Sequence, residues 1–152
     1  MAPTATRLLL EAGHRRIAFV NDAAPSPASV GRLAGYKAAL ARFDVDFDPS
    51  LVLSVTADQE GGYGAAAQVL ATGATGVFCH NDRTALGLYD ALRESGKRMP
   101  DDISVVGFDN QEVISAHMHP ALTTVGLPQY DLGVMGVRTC CVVAEPTMTN
   151  RR

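Results

Sequence analysis

The chain has 152 residues, of which 47% are hydrophobic and 19% are charged, a composition typical of a folded domain and unlike that of a disordered segment. Its formal net charge is −3, so the sequence lacks the basic character with which nucleic-acid-binding domains attract phosphates. No apolar run approaches the roughly 20 residues that a transmembrane helix needs, and the N-terminal stretch does not resemble a signal peptide. We therefore expect a cytoplasmic protein without a membrane partner.

The cysteine pattern also indicates a reducing compartment. Cys140 and Cys141 are adjacent, which does not suit an ordinary disulfide, and together with Cys79 the total is odd. No Cys-x-x-Cys pair is present in the sequence. We interpret all three residues as reduced thiols in the cytoplasm.

In the first half of the chain, two strand patterns alternate with two helix patterns. The β-rich run Ile17–Val20 is the first strand, and apolar residues at helical spacing predict a helix over Ser29–Phe43 with Ser29 as its N-cap. A second strand is predicted at Leu51–Val55 and a second helix at Glu60–Gly73, where the glycine ends the helix. The residues predicted to share the buried face of this second helix are Tyr63, Ala66, Ala67 and Leu70.

The second half of the chain continues the alternation. Gly76–Cys79 is the third predicted strand, and the helix that follows it has Asp82 available as a cap and Gly96 at its C-terminal end. Ile103–Val106 is the fourth strand and leads to Asp109. The predicted buried face of the third helix consists of Ala85, Leu88, Tyr89 and Leu92. The remaining predictions are a short helical turn after Asp109, a strand at Leu122–Val125 and a helix at about Tyr130–Ala144.

This alternation predicts an α/β fold. Strands and helices that follow one another in this way are typical of a parallel sheet with right-handed crossovers, in which helices cover both faces. The strands are apolar almost without interruption, as expected where neither face of the sheet meets water. No internal repeat and no low-complexity tract interrupts the pattern.

Polar residues collect where the predicted strands end. In a parallel sheet these carboxyl ends lie along one edge, and ligands bind in the crevice beside them. Arg32, early in the first crossover helix, would reach the same edge and offer a forked pair of hydrogen bonds to a ligand oxygen. Such a ring of polar groups suits a ligand rich in hydroxyl or N–H groups. The strand-end residues are Asn21, Asp22, Thr56, Asp58, His80, Asn81, Asp82, Asp109 and Asn110.

Each of these residues also has a purely structural interpretation. Asp, Asn and Ser favour helix N-caps, which accounts for Asp82 and leaves Asn21 and Asp22 open between the two interpretations. Arg32 is equally compatible with a surface salt bridge. Asp109 precedes only a short and weak helical pattern, so capping explains it less well than a binding role does.

Several kinds of chemistry lack their motifs. The sequence has no G-x-S-x-G elbow for a hydrolase serine, no G-x-x-x-x-G-K-[ST] loop, and no G-x-G-x-x-G after a strand. His117 and His119 have no third residue at a spacing that would complete a metal site. We therefore expect binding without catalysis, and with neither a cofactor nor a metal.

Four segments of the sequence together resemble the effector-binding region of LacI/GalR-family bacterial transcriptional repressors. In chain order they are "GHRRIAFV", "RLAGYKAAL", "NDRTALGLYDALRESGKRMPDDISVVGFDN" and "PALTTV". Periplasmic sugar-binding proteins share the fold, but "ISVVGFDN" followed by "PALTTV" resembles the repressor branch. The resemblance covers about residues 5–143.

The resemblance implies a type I periplasmic-binding-protein-like architecture, with two lobes around a small-molecule cleft. Residues 14–115 would form the C-terminal lobe, residues 116–144 the partial return of the chain into the N-terminal lobe, and residues 145–152 a tail. The family's helix-turn-helix head has no counterpart, so the chain would be a fragment that meets operator DNA only through a missing N-terminal head. The expected partners are a sugar or nucleobase-like effector and a second copy of the chain.

The family's effector contacts, carried over residue by residue, fall on Arg32, Asn81 and Asp109. Asp22 and Asp82 would support these contacts from behind. In many family members an aromatic ring stacks on the effector, and the corresponding place here is near Ala57, which cannot stack. Leu86 and His117 would lie in the dimer interface.

The resemblance thus favours the effector-sensing domain of a transcriptional regulator, without enzymatic activity. Two alternatives are the solute-binding component of a sugar transporter and a small α/β enzyme that acts on a sugar or nucleoside. A helix-turn-helix segment upstream would exclude the transporter, and turnover of a bound ligand would identify the enzyme.

Overall fold

The computed structural model describes residues 2–128, 130, 133–135 and 137, and its centre is a five-stranded parallel sheet. The strands are β1 (Ile17–Asp22), β2 (Val52–Val55), β3 (Gly76–Cys79), β4 (Ser104–Asp109) and β5 (Thr123–Gly126). The helices are α1 (Ala2–Glu11), α2 (Pro27–Arg42), α3 (Gln59–Ala71), α4 (Asp82–Glu94) and α5 (Glu112–Ser115). In the sheet the strands lie in the order β2-β1-β3-β4-β5. The predicted α/β fold with a parallel sheet is confirmed.

Two long helices cover each face of the sheet. α1 and α2 pack on one face over Ile17 and Phe19, whereas α3 and α4 pack on the other face over Ala18 and Val20. All four of these β1 side chains are completely buried. Because successive residues of a strand face opposite sides, an apolar strand without polar alternation is what two covered faces require.

The first helix, α1, was missed by the sequence prediction, which placed no element before Ile17. Its residues Ala5, Leu9 and Leu10 are buried in the core on the α2 side of the sheet. Burying one leucine side chain stabilises a fold by roughly 1.5–3 kcal/mol, so α1 belongs to the packed unit and precedes the predicted lobe boundary at residue 14. Three core side chains in a ten-residue helix give only a short periodic signal, which explains the omission.

Two helices begin with a different cap from the predicted one. Ser26 rather than Ser29 caps α2, and the Ser26 Oγ accepts from the backbone N–H of Ser29 at 3.1 Å. Ser29 Oγ in turn accepts from the backbone N–H of Ser26 at 2.9 Å, so that two amides are satisfied reciprocally. Asn81 rather than Asp82 caps α4, with its Oδ1 2.8 Å from the backbone nitrogen of Thr84.

The buried face of α3 is rotated from the predicted one. Tyr63 is 46% exposed and Ala67 is also exposed, so their prediction as core residues is wrong. The buried residues of α3 are Gly62, Ala65, Ala66 and Val69. The prediction used the spacing of apolar side chains, and it therefore overlooked Gly62, which has no side chain but lies on the buried face. The predicted face of α4 is confirmed, because Ala85, Leu88, Tyr89 and Leu92 are all buried.

α3 and α4 touch backbone to backbone at two glycines. A Cβ atom at Gly62 would lie 2.0 Å from the carbonyl oxygen of Thr84, and one at Gly87 would lie 1.8 Å from the carbonyl oxygen of Gln59. Both distances are far inside van der Waals contact, so only glycine fits at either position. The two helix axes are therefore closer together than side chains between them would allow.

The later part of the chain follows the prediction as far as the structure describes it. Gly73 and Gly96 end their helices with φ of +68° and +73°, the left-handed region that suits glycine. β5 forms an edge of the sheet beside β4, so this part of the predicted return segment is paired with the same sheet. Cys140, Cys141, most of the predicted last helix and the tail at 145–152 lie outside the described residues.

The described residues include one cysteine, Cys79, and several helices whose length and polarity bear on a membrane location. Cys79 in β3 is a free thiol, and burial raises the pKa of this thiol well above its usual range. Among the helices at residues 2–128 and the helical positions after them, none is long and apolar enough to cross a membrane.

Candidate functional site

The polar residues predicted to gather at one edge of the sheet do so around the ends of β1, β3 and β4. These strands are neighbours in the order β1-β3-β4, so their carboxyl ends converge. β4 ends in two consecutive residues with positive φ, Asp109 at +98° and Asn110 at +52°. Such a backbone costs about 1 kcal/mol or more per residue outside glycine, although Asp and Asn adopt it more readily than other residues. Two hydrogen bonds hold the turn, one from Asn110 N–H to Thr124 Oγ1 at 3.2 Å and one from Gln111 N–H to Asp82 Oδ2 at 2.7 Å.

Arg32 and Asp109, two of the predicted ligand contacts, form an ion pair at this edge. Arg32 lies in the second turn of α2, and its Nη2 donates to Asp109 Oδ1 at 3.0 Å. The two side chains are 11% and 21% exposed, and the Arg32 guanidinium lies over the Phe108 ring at 4.2 Å from its centroid. Burial lowers the pKa of Arg32 and raises the pKa of Asp109, and in each case the partner's opposite charge works against that shift.

His80, at the end of β3, connects this pair to the ends of β1 and α2. Its Nε2 lies 2.9 Å from Arg32 Nη1, and its Nδ1 lies 3.0 Å from Asn21 Oδ1. Asn21 Nδ2 in turn donates to the backbone oxygen of Ser29 at 3.2 Å. A guanidinium only donates and a carbonyl only accepts, so the polarity of all three bonds is fixed. Arg32 donates to His80, His80 donates through Nδ1 to Asn21, and Asn21 donates to the backbone oxygen of Ser29. The imidazole is therefore neutral, with its proton on Nδ1.

The surroundings of His80 keep its ring uncharged. Burial and the positive charge of Arg32 lower the pKa of His80 to about 4, and the opposing effect of Asp22 is smaller. At neutral pH the ring therefore retains the lone pair on Nε2 that accepts from Arg32.

The ion pair leaves several hydrogen-bonding groups for a ligand. Of the five N–H donors of Arg32, one on Nη1 and one on Nη2 are engaged, and Nε is buried without a partner. One hydrogen on each Nη remains, next to the Asp109 carboxylate. Donors and acceptors thus stand side by side on two side chains that are partly exposed to solvent.

Asn81, the third predicted contact, is occupied largely by structural bonds. Its Oδ1 accepts from the backbone N–H of Thr84 at 2.8 Å and from Thr84 Oγ1 at 2.9 Å. Its Nδ2 donates to the backbone oxygen of Ala57 at 2.9 Å, which ties the start of α4 to the loop between β2 and α3. One Nδ2 hydrogen of this half-buried side chain remains for another partner.

Asp82 is completely buried and joins the start of α4 to β5 and to the turn that follows β4. Its Oδ1 accepts from Thr124 Oγ1 at 2.6 Å and its Oδ2 accepts from the Gln111 N–H. Burial raises the pKa of Asp82, which these hydrogen bonds partly offset. The carboxylate lies against Gly107, where a Cβ atom would come within 2.3 Å of Oδ1. Asp82 is therefore positioned to shape the site from behind.

The other predicted residues lie in two places. Asp22, at the end of β1, is half-buried at the candidate site, and its Oδ1 accepts from the backbone N–H of Ala24 at 3.1 Å. Leu86 and His117 line a separate hollow between α4 and α5, together with Tyr89 and Val113. Within the part of the chain that the structure describes, no group of three His, Cys, Asp or Glu side chains could hold a metal ion.

Sequence reasoning placed His80 and Asn21 on the correct edge but did not select them as members of the site. A signal was present, since His80 follows the most uniformly apolar strand of the sheet and is itself buried. Which of its neighbours it would face depends on the order of the strands, and this order is not visible in a list of strand ends.

Comparisons with known proteins agree on the type of domain. A profile of the periplasmic binding protein-like domain matches residues 6–144. The ribose operon repressor of Haemophilus influenzae is 34% identical over 137 residues, which cover 89% of this chain and 41% of the repressor. The HTH-type transcriptional repressor PurR of Vibrio atlanticus is 38% identical over 131 residues, covering 85% and 39%. The chain thus spans about two-fifths of the length of these relatives.

Solved structures give the same picture. The crystal structure of a LacI family transcriptional regulator from Enterococcus faecium with bound ribose superimposes with a TM-score of 0.86 at 34% identity, over 98% of this chain and 55% of that one. A complex of the transcriptional regulator CelR with cellobiose gives 0.85 at 33% identity, over 91% of this chain and 42% of that one.

Proposed function

Because this chain belongs to the periplasmic binding protein-like family, we propose that it is the effector-sensing region of a cytoplasmic LacI-family transcriptional regulator without enzymatic activity. In that role it binds a small, uncharged, hydroxyl-rich molecule such as a sugar at the Arg32–Asp109 pair. The bound molecule shifts the regulator between two states with different affinities for operator DNA, which another part of the protein contacts. The names of its relatives support a regulator over a transporter component or an enzyme.

This proposal rests on one observation: Arg32 has N–H groups without a partner, and they lie next to the Asp109 carboxylate, which can accept further hydrogen bonds. Arg32 offers two N–H groups and Asp109 lies 3.0 Å away with a carboxylate, and both side chains are partly exposed. A hydroxyl group accepts a hydrogen bond and donates one, so two neighbouring hydroxyls satisfy both residues at once. Ribose and cellobiose, the molecules bound in the two related structures, are of this chemical class.

The charge of the site favours an uncharged ligand. The acidic groups Asp22 and Asp109 both act on a single arginine, Asp82 adds a further negative charge near Asp109, and His80 is neutral. A phosphorylated sugar would meet excess negative charge, whereas a neutral sugar or a nucleobase would not.

Isothermal titration calorimetry with ribose, cellobiose and adenine tests this proposal. We expect one class of probe to bind, and Arg32→Ala or Asp109→Ala to weaken it by about a hundredfold, because each substitution leaves a buried charge unpaired. Arg42→Ala is the matched control, since it removes an arginine from the exposed end of the same helix. Equal affinity of the wild type and the Arg32→Ala variant for the bound probe would contradict the placement of the site.

We also propose that the regulator is a homodimer joined through the hollow between α4 and α5. Leu86 is half-buried and His117 exposed there, and Val113 on the same surface is 84% exposed. Apolar side chains exposed next to one another favour a symmetric contact, in which each copy covers the same patch of the other. We propose the predicted return of the chain to a second lobe only for the segment after β5, because β5 pairs with β4 in the same sheet as the rest of the lobe predicted at residues 14–115.

A further inference from the structure

The chain of hydrogen bonds that runs from Arg32 through His80 to Asn21 and Ser29 begins and ends on the same helix. Arg32 and Ser29 both belong to α2, while Asn21 and His80 end β1 and β3. We propose that His80 is a positioning residue, which holds the Arg32 guanidinium in the orientation that meets the ligand. This inference rests on the proposed function, since it concerns the same site.

His80 is the more deeply buried of the two side chains that bond to the Arg32 guanidinium. Its side chain is buried, and its Nε2 accepts from the Nη1 of Arg32. Asp109 holds the other nitrogen, Nη2, but its side chain is 21% exposed, so a ligand hydroxyl could compete for its carboxylate. The contact to His80 has no such competitor. When a ligand engages Asp109, His80 and the Phe108 ring keep the guanidinium plane in place.

The polarity of the hydrogen-bond chain explains why a histidine suits this position. The residue must accept from Arg32 and donate to Asn21 Oδ1, because the amide of Asn21 is oriented by its bond to Ser29. A neutral imidazole does both with one rigid ring, whose two nitrogens face opposite ways. Glutamine retains an acceptor at about the position of Nε2, and asparagine retains a donor at about the position of Nδ1. The two substitutions therefore separate the two contacts.

Nitrogen NMR of the imidazole in the wild-type chain is the first test, and it needs no ligand. At neutral pH we expect the His80 proton on Nδ1 and a bare Nε2. We also expect separate, slowly rotating Nη signals from Arg32 in the wild type and in His80→Gln, and averaged signals in His80→Asn. A proton on Nε2, or unchanged Arg32 signals in His80→Asn, would overturn the proposal. The wild-type tautomer decides the matter even if His80→Asn does not fold.

Titration with whichever probe binds the wild type is the second test. We expect His80→Gln to bind with nearly wild-type affinity and His80→Asn to bind roughly tenfold or more weakly, since an unrestrained guanidinium must be ordered again on binding. His14→Gln is the matched control: His14 also bonds through both ring nitrogens, to Thr75 and Ser104, but outside the site. Equal affinities of the two His80 variants would contradict the positioning role. A failure of every probe to bind would count against the proposed function and leave the NMR result standing.

Discussion

Arg32 is restrained on three sides, and each restraint uses a different interaction. Phe108 lies beneath the guanidinium plane, Asp109 takes one nitrogen through a charged hydrogen bond, and His80 takes the other through a neutral one. A residue that has five donors and a long side chain would otherwise lose considerable rotamer entropy when a ligand binds. At the scale of the residue, the site is preorganised because that ordering has taken place on folding.

The neutral state of His80 predicts a pH dependence of stability. Its pKa is about 4 in the folded chain and near 6.5 when unfolded, so the unfolded chain binds the extra proton between these values. The His80 contribution is complete above about pH 6.5 and is lost as the pH falls through 4, by up to about 3 kcal/mol. The charged groups that face the ring are Arg32 from α2 and Asp22 from β1, with Asp109 of β4 beyond Arg32.

Urea unfolding of the wild type and of His80→Gln over this pH range measures the effect. The difference in unfolding free energy between the two proteins isolates His80 from carboxylates such as Asp82, whose raised pKa has the opposite influence. A difference that stays constant between pH 7 and pH 4 would rule out the neutral, buried imidazole.

The sequence predicts which edge of the sheet carries the site, but not how the polar side chains at that edge pair with one another. Apolar strand ends and the LacI/GalR resemblance both lead to Arg32 and Asp109, and the structure brings these two residues together. From the sequence, Asp82 is expected to cap α4 and Asn81 to contact the ligand, but adjacent Asn and Asp are both good N-cap residues, and the cap is in fact Asn81. The structure separates them by direction: the side chain of Asn81 turns back to its own helix, and that of Asp82 reaches across to Thr124.

At the scale of elements, hydrophobic periodicity predicted the buried face of a helix correctly where that face consists of apolar side chains. The buried face of α4 has four apolar residues at helical spacing and was predicted correctly. The buried face of α3 is built around Gly62, whose contribution is the absence of a side chain, and hydrophobic periodicity is insensitive to that. The start of α2 was misplaced by one turn because Ser26 and Ser29 are both suitable caps and in fact cap each other's amides.

The contact between α3 and α4 predicts opposite outcomes for two glycine substitutions. Gly87→Ala would place a methyl group 1.8 Å from a backbone oxygen, so we expect the free energy of unfolding to fall by about 2 kcal/mol or more. Gly64→Ala, on the exposed face of α3 with no atom within 4 Å, is expected to raise it by about 0.5–1 kcal/mol through helix propensity. Urea denaturation of both variants gives the answer, and equal effects would mean that the helices are farther apart than described.

At the scale of the whole molecule, the resemblance to LacI-family regulators stated from the sequence is confirmed by both the profile match and the related structures. Long motifs such as "ISVVGFDN" specify this fold because they combine a buried strand with the turn that ends it. The surface is less predictable, since an exposed apolar residue in a sequence does not reveal which other residues share its patch.

The proposed dimer predicts a difference between two valine substitutions. Val113→Asp introduces a charge into the hollow between α4 and α5, and we expect it to convert a dimer into a monomer. Val30→Asp, at a position 65% exposed on α2, is the matched control and should remain dimeric. Sedimentation equilibrium distinguishes the two states, and a wild-type chain that is monomeric at high concentration would refute this interface.

The backbone contact between α3 and α4 also has a mechanical consequence. Side chains between two helices absorb small displacements by changing rotamer, but a glycine packed on a carbonyl oxygen has no rotamer to change. We therefore expect α3 and α4 to move as one unit rather than to slide against each other. In this unit, Leu86 of α4 lines the hollow between α4 and α5. Asn81, at the start of α4, donates a hydrogen bond to the backbone oxygen of Ala57 in the loop between β2 and α3. We therefore expect this loop to move together with the two helices when they are displaced.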